Sequence, residues 1–242
     1  MPIDPPNKPG AHTAIQAVVF DFDGVIADSE PVHERALLET VRAEGLNFTH
    51  DQYQTEIIGY DDRDAFPAIY RMNGTPFDPA QSDRLIESKT KLLHRLIAEG
   101  AVTPFPGTLD LARQAKARGI PIAICSGALQ EEIGLMLEAF GAADIFEIIV
   151  AADDVAKAKP DPAGYLLAAS RLGTYPAACA CIEDTPTGIQ AARAAGYGNV
   201  IAVAHSLPKP DLAQAHAAYN AATDLTLNTL LNEPPAQAGG PK

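Results

Sequence analysis

The sequence predicts an α/β fold: a doubly wound, Rossmann-like parallel sheet with a small all-helical cap domain inserted after its first strand. Three observations lead there. Short runs that are apolar on both faces recur along the chain, as strands covered by helices on two sides require. Well-punctuated amphipathic helices alternate with the later runs. Residues 21–120, which separate the first run from the second, contain helical patterns and no convincing strand.

The elements follow in order. Residues 1–14 carry four prolines and no apolar stretch, and read as a flexible lead-in and not a secretory signal. "AVVF" (17–20) is the first strand. Helical patterns then cover about 31–44, 62–72 and 80–99. The first places Val32, Ala36, Leu37 and Val41 on one face, and the third aligns Leu85, Lys89, Leu92 and Leu96. The insert is therefore set at 31–103, and "TPFPG" (103–107) returns the chain to the core. "PIAIC" (121–125), "EIIVA" (147–151), "ACIE" (180–183) and "NVIAV" (199–203) supply four more strands. Between them, 129–140 is a helix with Leu129, Ile133, Leu137 and Phe140 on one stripe and Gly141 behind it. Asp161-Pro162 and Thr185-Pro186 each open a helix with a capping side chain followed by proline; these close at Gly173 and Gly196. The core thus comprises 15–30 and 104–232; "HSLPKPDLAQAHAAYN" (205–220) reads as a surface insertion and 233–242 as a flexible end.

Composition narrows the function. The chain is 47% hydrophobic and 20% charged, as ordinary globular domains are, with a net charge of −13. That acidity disfavours nucleic acid and anionic membrane as partners, since both need a basic footprint. No apolar run is long enough to span a bilayer, so a cytoplasmic protein, monomeric or a small homo-oligomer, is expected. Cys125, Cys179 and Cys181 lack the spacing of a zinc site and read as buried free thiols.

The chemistry sits at strand ends, where open parallel sheets bind their ligands. The first strand runs straight into Asp21-Phe22-Asp23-Gly24, and an aspartate there is costly to desolvate unless paired or metal-bound. The second ends in Ser126-Gly127, the third is followed by Lys157 and Lys159, and the fourth ends in Glu183-Asp184. Each fragment alone also reads as a turn, a solvated loop or a helix cap. Their shared order is what those readings do not explain.

That set resembles the haloacid dehalogenase superfamily, in particular its phosphotransferase branch of β-phosphoglucomutase-like and phosphoglycolate phosphatase-like enzymes. The Asp-x-Asp-Gly motif matches 21–24, the strand-end serine Ser126, the lysine before proline Lys159, and the acidic pair opens "EDTPTGIQAARAAG" (183–196). The resemblance spans about 17–203, with the helical insert in the place of the family's small cap. It implies Asp21 as nucleophile and Asp23 as general acid/base. It implies Mg²⁺ held by Asp21, Asp184, Glu183 and the Asp23 backbone carbonyl. The substrate's phosphate then lies against Lys159, the Ser126 hydroxyl and amides near Gly24 and Gly127.

Residues separate the branches. Asp23 argues against dehalogenases, which lack a second aspartate. The absence of lysine between Lys8 and Lys89 argues against phosphonatases, which use a cap lysine. Receiver domains, which also pair acids and a lysine on an α/β sheet, place the accepting aspartate past the middle of a short chain. What remains is a phosphatase for a small phosphorylated metabolite of the sugar phosphate or phosphoglycolate type, or a β-phosphoglucomutase-like enzyme, with a non-catalytic phospho-acceptor or regulatory protein as the distant alternative. "DGVIADSEPVHERA" resembles the latter subgroup through His33. Arg63 and Lys89 are candidate cations for a second phosphate, and Gly59 in "IIGYDD" marks a candidate specificity loop.

Overall fold

The computed structural model describes residues 14–58, 60 and 62–232. The expected flexible ends, Ala14 apart, and Gly59 lie outside the described residues. The chain divides into two compact units, one of residues up to Ile26 with Phe105–Gln130 and Asp144 onward, the other of Ala27–Pro104 with Glu131–Ala143.

The strands are β1 (Ala17–Phe20), β2 (Ala27–Asp28), β3 (Thr103–Pro104), β4 (Ile122–Cys125), β5 (Ile148–Val150), β6 (Cys179–Glu183), β7 (Asn199–Val203) and β8 (Ala217–Tyr219). The first unit is built on a six-stranded, wholly parallel sheet in the order β5-β4-β1-β6-β7-β8. The chain winds from β1 outward through β4 to β5 and then crosses back to β6 on the other side of β1. This is the doubly wound arrangement, and it opens a ligand crevice beyond the strands' carboxyl ends. All four residues of β1 are buried, which explains an apolar run without alternation. One core layer packs Val19, Ala123, Cys181 and Val200 against Tyr165, Ile189 and Ala192 of the covering helices.

The helices are α1 (Glu30–Ala43), α2 (His50–Glu56), α3 (Asp62–Met72), α4 (Ser82–Ala98), α5 (Thr108–Ala117), α6 (Gln130–Ala139), α7 (Ala163–Arg171), α8 (Pro186–Ala195) and α9 (Leu227–Leu231). In the second unit, α1 buries the four predicted residues, and Leu37 and Val41 meet Phe66, Ile69 and Leu85 in a separate core. Among its described residues that unit is helical apart from a two-residue antiparallel ladder of β2 with β3.

Three local expectations are corrected. In α4, Leu93 is fully buried where the stripe named Leu92, which is half-buried, since the apolar face extends to Ile97. Leu129 lies before the start of α6 and is exposed. The segment 205–220 is not a surface insertion: it contains β8, which pairs with β7 through Ile201↔Ala217 and Val203↔Tyr219. Among the described residues, no helix is long and apolar enough to cross a membrane.

Candidate active site

Asp21 stands directly beyond β1, its backbone N–H donating to the Ile182 carbonyl of β6 at 2.9 Å. Its side chain is buried, and Lys159 Nζ donates to Asp21 Oδ1 at 2.6 Å. The same ammonium donates to Glu183 Oε1 at 2.6 Å and to the Cys125 carbonyl at 3.1 Å, so all three of its hydrogens are engaged. The Lys159–Pro160 peptide is cis. Lys157, the other lysine of this loop, is exposed and lies 3.7 Å from Asp161.

Glu183 is fully buried at the end of β6. Besides Lys159 it accepts from the Tyr165 hydroxyl at 2.5 Å, and its second oxygen accepts from the Asp184 N–H at 3.2 Å. A Cβ at Gly188 would overlap this carboxylate, so the glycine in the first turn of α8 is what admits it. Thr185 caps that helix, its hydroxyl accepting from the Gly188 N–H at 3.2 Å. Gly24 meets the same demand from the other side. Its φ is +74°, and a Cβ there would overlap the Asp184 carboxyl and the Ser206 hydroxyl. Gly127, by contrast, has open space around its Cβ position.

Asp21, Glu183 and Asp184 present oxygens that lie within 4.8 Å of one another. Burial and the neighbouring Glu183 push the Asp184 carboxyl up to about 7, and burial, then Glu183, pushes Asp21 well above the carboxylate range. Burial opposes the charge on Lys159, but Asp21 and Glu183 outweigh it and hold the ammonium well above its ordinary value. Asp184 Oδ1 is buried and has no hydrogen-bond partner among the described residues. Three buried carboxylates, one of them with an orphaned oxygen, fit a hard divalent cation.

The expected residues separate into groups. Asp21, Lys159, Glu183 and Asp184 come together. The Asp23 carboxyl is outside the acidic cluster and faces the Ser126 hydroxyl at 3.4 Å; that hydroxyl also accepts from the Ala128 N–H at 2.9 Å. In the second unit, Lys89 is buried, with Nζ 3.0 Å from Asp62 Oδ1 and 3.2 Å from His33 Nδ1. Arg63 is on the surface, 3.4 Å from Asp83.

Three residues escaped the sequence reading. The Tyr165 ring lies 5.2 Å from Lys159 Nζ while its hydroxyl holds Glu183. Beyond β7, His205 Nδ1 meets the Gly24 carbonyl at 2.8 Å, and Ser206 Oγ donates to Asp184 Oδ2. A fifth strand end carrying "HS" follows the same rule as the other four and was the available signal. The cysteines are free and buried as expected; burial pushes the Cys125 thiol up to about 12 and that of Cys179 up to about 11, which keeps them inert.

The chain is similar to CbbY of Rhodobacter capsulatus, 36% identical over 193 residues that span 77% of this chain and 85% of that protein. It is similar to the fructose-1-phosphate phosphatase YqaB of Escherichia coli, 34% identical over 183 residues spanning 76% of this chain and 94% of that one. The fold superposes on a crystal structure of a CbbY variant from Rhodobacter sphaeroides in complex with xylulose-(1,5)bisphosphate, with a TM-score of 0.79 and 28% identity, covering 89% of this chain and 99% of that one. The family model for haloacid dehalogenase-like hydrolases matches residues 15–196, from β1 through the end of α8. That span takes in every strand end from which Asp21, Ser126, Lys159, Glu183 and Asp184 arise, and the chain belongs to the haloacid dehalogenase-like hydrolase family.

Proposed function

We propose that this hydrolase is a magnesium-dependent phosphatase for a small phosphorylated sugar or related metabolite, working through an aspartyl-phosphate on Asp21. The observation that carries the reading is the buried cluster of Asp21, Glu183 and Asp184 joined to Lys159, which a simple buried ion pair would not need. The name of one relative, a fructose-1-phosphate phosphatase, and the xylulose-(1,5)bisphosphate complex of another support the substrate class.

In this reading an Asp21 carboxylate oxygen attacks phosphorus and the ester P–O bond breaks. Asp23 gives its proton to the departing alkoxide. It then takes a proton from water, whose oxygen attacks the phosphoryl group and returns Asp21 with release of phosphate. Lys159 offsets the charge between the phosphate and Asp21, and the Ser126 hydroxyl with amides at Gly24 and Gly127 donates to the transferring oxygens. Asp21, Asp184, Glu183 and the Asp23 carbonyl are the proposed holders of Mg²⁺, which when bound supplies positive charge against the phosphate oxygens. The inserted segment 31–103, with His33, Gly59, Arg63 and Lys89, is proposed to select the substrate. We place the protein in the cytoplasm as a monomer or small homo-oligomer.

The test is phosphate release from a panel of small phosphorylated metabolites with Mg²⁺, including β-glucose 1-phosphate with and without the 1,6-bisphosphate. Steady release from one compound, lost in Asp21→Asn and on chelation, is the expected result. Conversion to glucose 6-phosphate with little free phosphate would replace hydrolysis with the mutase reading, and no turnover of any compound would overturn both.

A further inference from the structure

We propose that Ser206 is a positioning residue for the cation, fixing which oxygen of Asp184 is offered to it; the proposal rests on the metal reading given above. Asp184 is buried, and its two oxygens have different surroundings. Oδ2 accepts the Ser206 hydroxyl, while Oδ1 has no partner among the described residues. A carboxylate with one oxygen occupied by a strong donor cannot swing freely between one-oxygen and two-oxygen binding. Ser206 therefore presents Asp184 through Oδ1 alone and holds the carboxyl plane while the site is loaded.

The hydroxyl reaches Asp184 because the turn that carries it is tied on several sides. His205, its neighbour, lies 4.0 Å from the Phe105 ring, centroid to centroid, at an interplanar angle of 15°. Its Nε2 accepts the Ala222 N–H at 3.3 Å, so the ring proton lies on Nδ1, which donates to the Gly24 carbonyl at 2.8 Å. The imidazole thus spans from the turn after β1 to the segment after β8, with both nitrogens used. Gly24 completes the enclosure, since any side chain there would displace both Asp184 and Ser206. Thr185 and Ser206 divide the work: one hydroxyl caps the helix that follows Asp184, the other orients its side chain.

The experiment is calorimetric unfolding of the full chain, titrated with magnesium chloride against sodium chloride of matched ionic strength. A ligand bound only by the folded state raises the unfolding temperature with its concentration, so the Mg²⁺ dependence reads affinity without turnover. For the unaltered protein, Mg²⁺ raises the unfolding temperature beyond the sodium control. In Ser206→Ala the Mg²⁺ concentration needed for a given rise in unfolding temperature increases by about 10-fold, within the span over which groups behind metal ligands act. Ser206→Thr, which keeps the hydroxyl, stays near the unaltered protein. If Ser206→Ala does not fold, Ser206→Cys, a weak donor of similar size, is read in the same way. An unchanged Mg²⁺ dependence in the variant lacking the donor overturns the role of Ser206 and leaves the metal reading standing. No Mg²⁺ effect on the unaltered protein beyond the sodium control overturns the metal reading, and this inference with it.

Discussion

Gly24 shows how tightly single residues are specified at this site. It needs a positive φ and has no room for a Cβ, because Asp184 and Ser206 fill that space. Gly24→Ala is expected to cost about 1–3 kcal/mol in denaturant unfolding, the range for a residue held in a sparsely populated conformation, and to abolish phosphate release. Asp184 carries a different consequence. Its carboxyl is pushed to about 7 by burial and by Glu183, so without metal the folded state keeps a proton that the unfolded chain gives up near the ordinary value of 3.8. A raised folded value means that metal-free stability falls as pH rises from about 4 to 7. Asp184→Asn is expected to flatten that decline, as measured by unfolding temperature against pH in chelator. Asp21, Ser126 and the acids at 183–184 were legible because each stands at the end of a buried apolar run, whereas Lys159, nine residues beyond β5, was legible only through its place in their order. Tyr165 was not, since an aromatic residue in a helix facing the sheet is indistinguishable from core until its hydroxyl is seen on Glu183.

At the scale of elements, what the sequence concealed was short or lay at an edge. β8 is three half-buried residues, "AAY", with no β-branched residue to mark them. α2 buries one residue, Tyr53, and owes its start to the reciprocal Thr49–Gln52 capping box and the stack of Phe48 on Tyr53, 5.8 Å between centroids. The ten-residue α5 is hidden for another reason, since "TLDLARQAKA" directly follows the turn that closes the insert. β8 is anchored to β7 by the residue before it. The His216 N–H donates to the Val200 carbonyl at 2.8 Å, and the Val200 N–H donates to His216 Nδ1 at 2.8 Å. The imidazole therefore stands in for a ladder carbonyl and accepts only while Nδ1 is unprotonated. Burial and then Arg193 lower its pKa below 6.5, so this contribution is complete above 6.5 and is lost as pH falls through the lowered value. Amide exchange at Val200 is expected to lose protection on acidification across that window. His216→Asn, whose side-chain oxygen reaches the same place, is expected to keep the protection at all these pH values.

At the scale of the whole molecule, the described residues include one core on a face of the parallel sheet and another among the helices of the second unit. An insert is expected from the sequence because about a hundred residues separate Phe20 from Pro121 and a parallel crossover needs only a fraction of that length. Phe66 is fully buried in the helical core. Phe66→Ala is expected to reduce stability by about 3–5 kcal/mol in chemical unfolding, the usual cost of truncating a buried aromatic residue. The order of the strands has a further consequence, one of time. β1 is made before its two neighbours, β4 and β6, which follow about a hundred and about a hundred and sixty residues later. Until then Asp21 has neither Lys159 nor Glu183 beside it, and Ser206 follows later still. The nascent chain therefore carries the Asp21 carboxylate without its buried partners over that whole stretch, and the cluster can be complete only once Ser206 has been made.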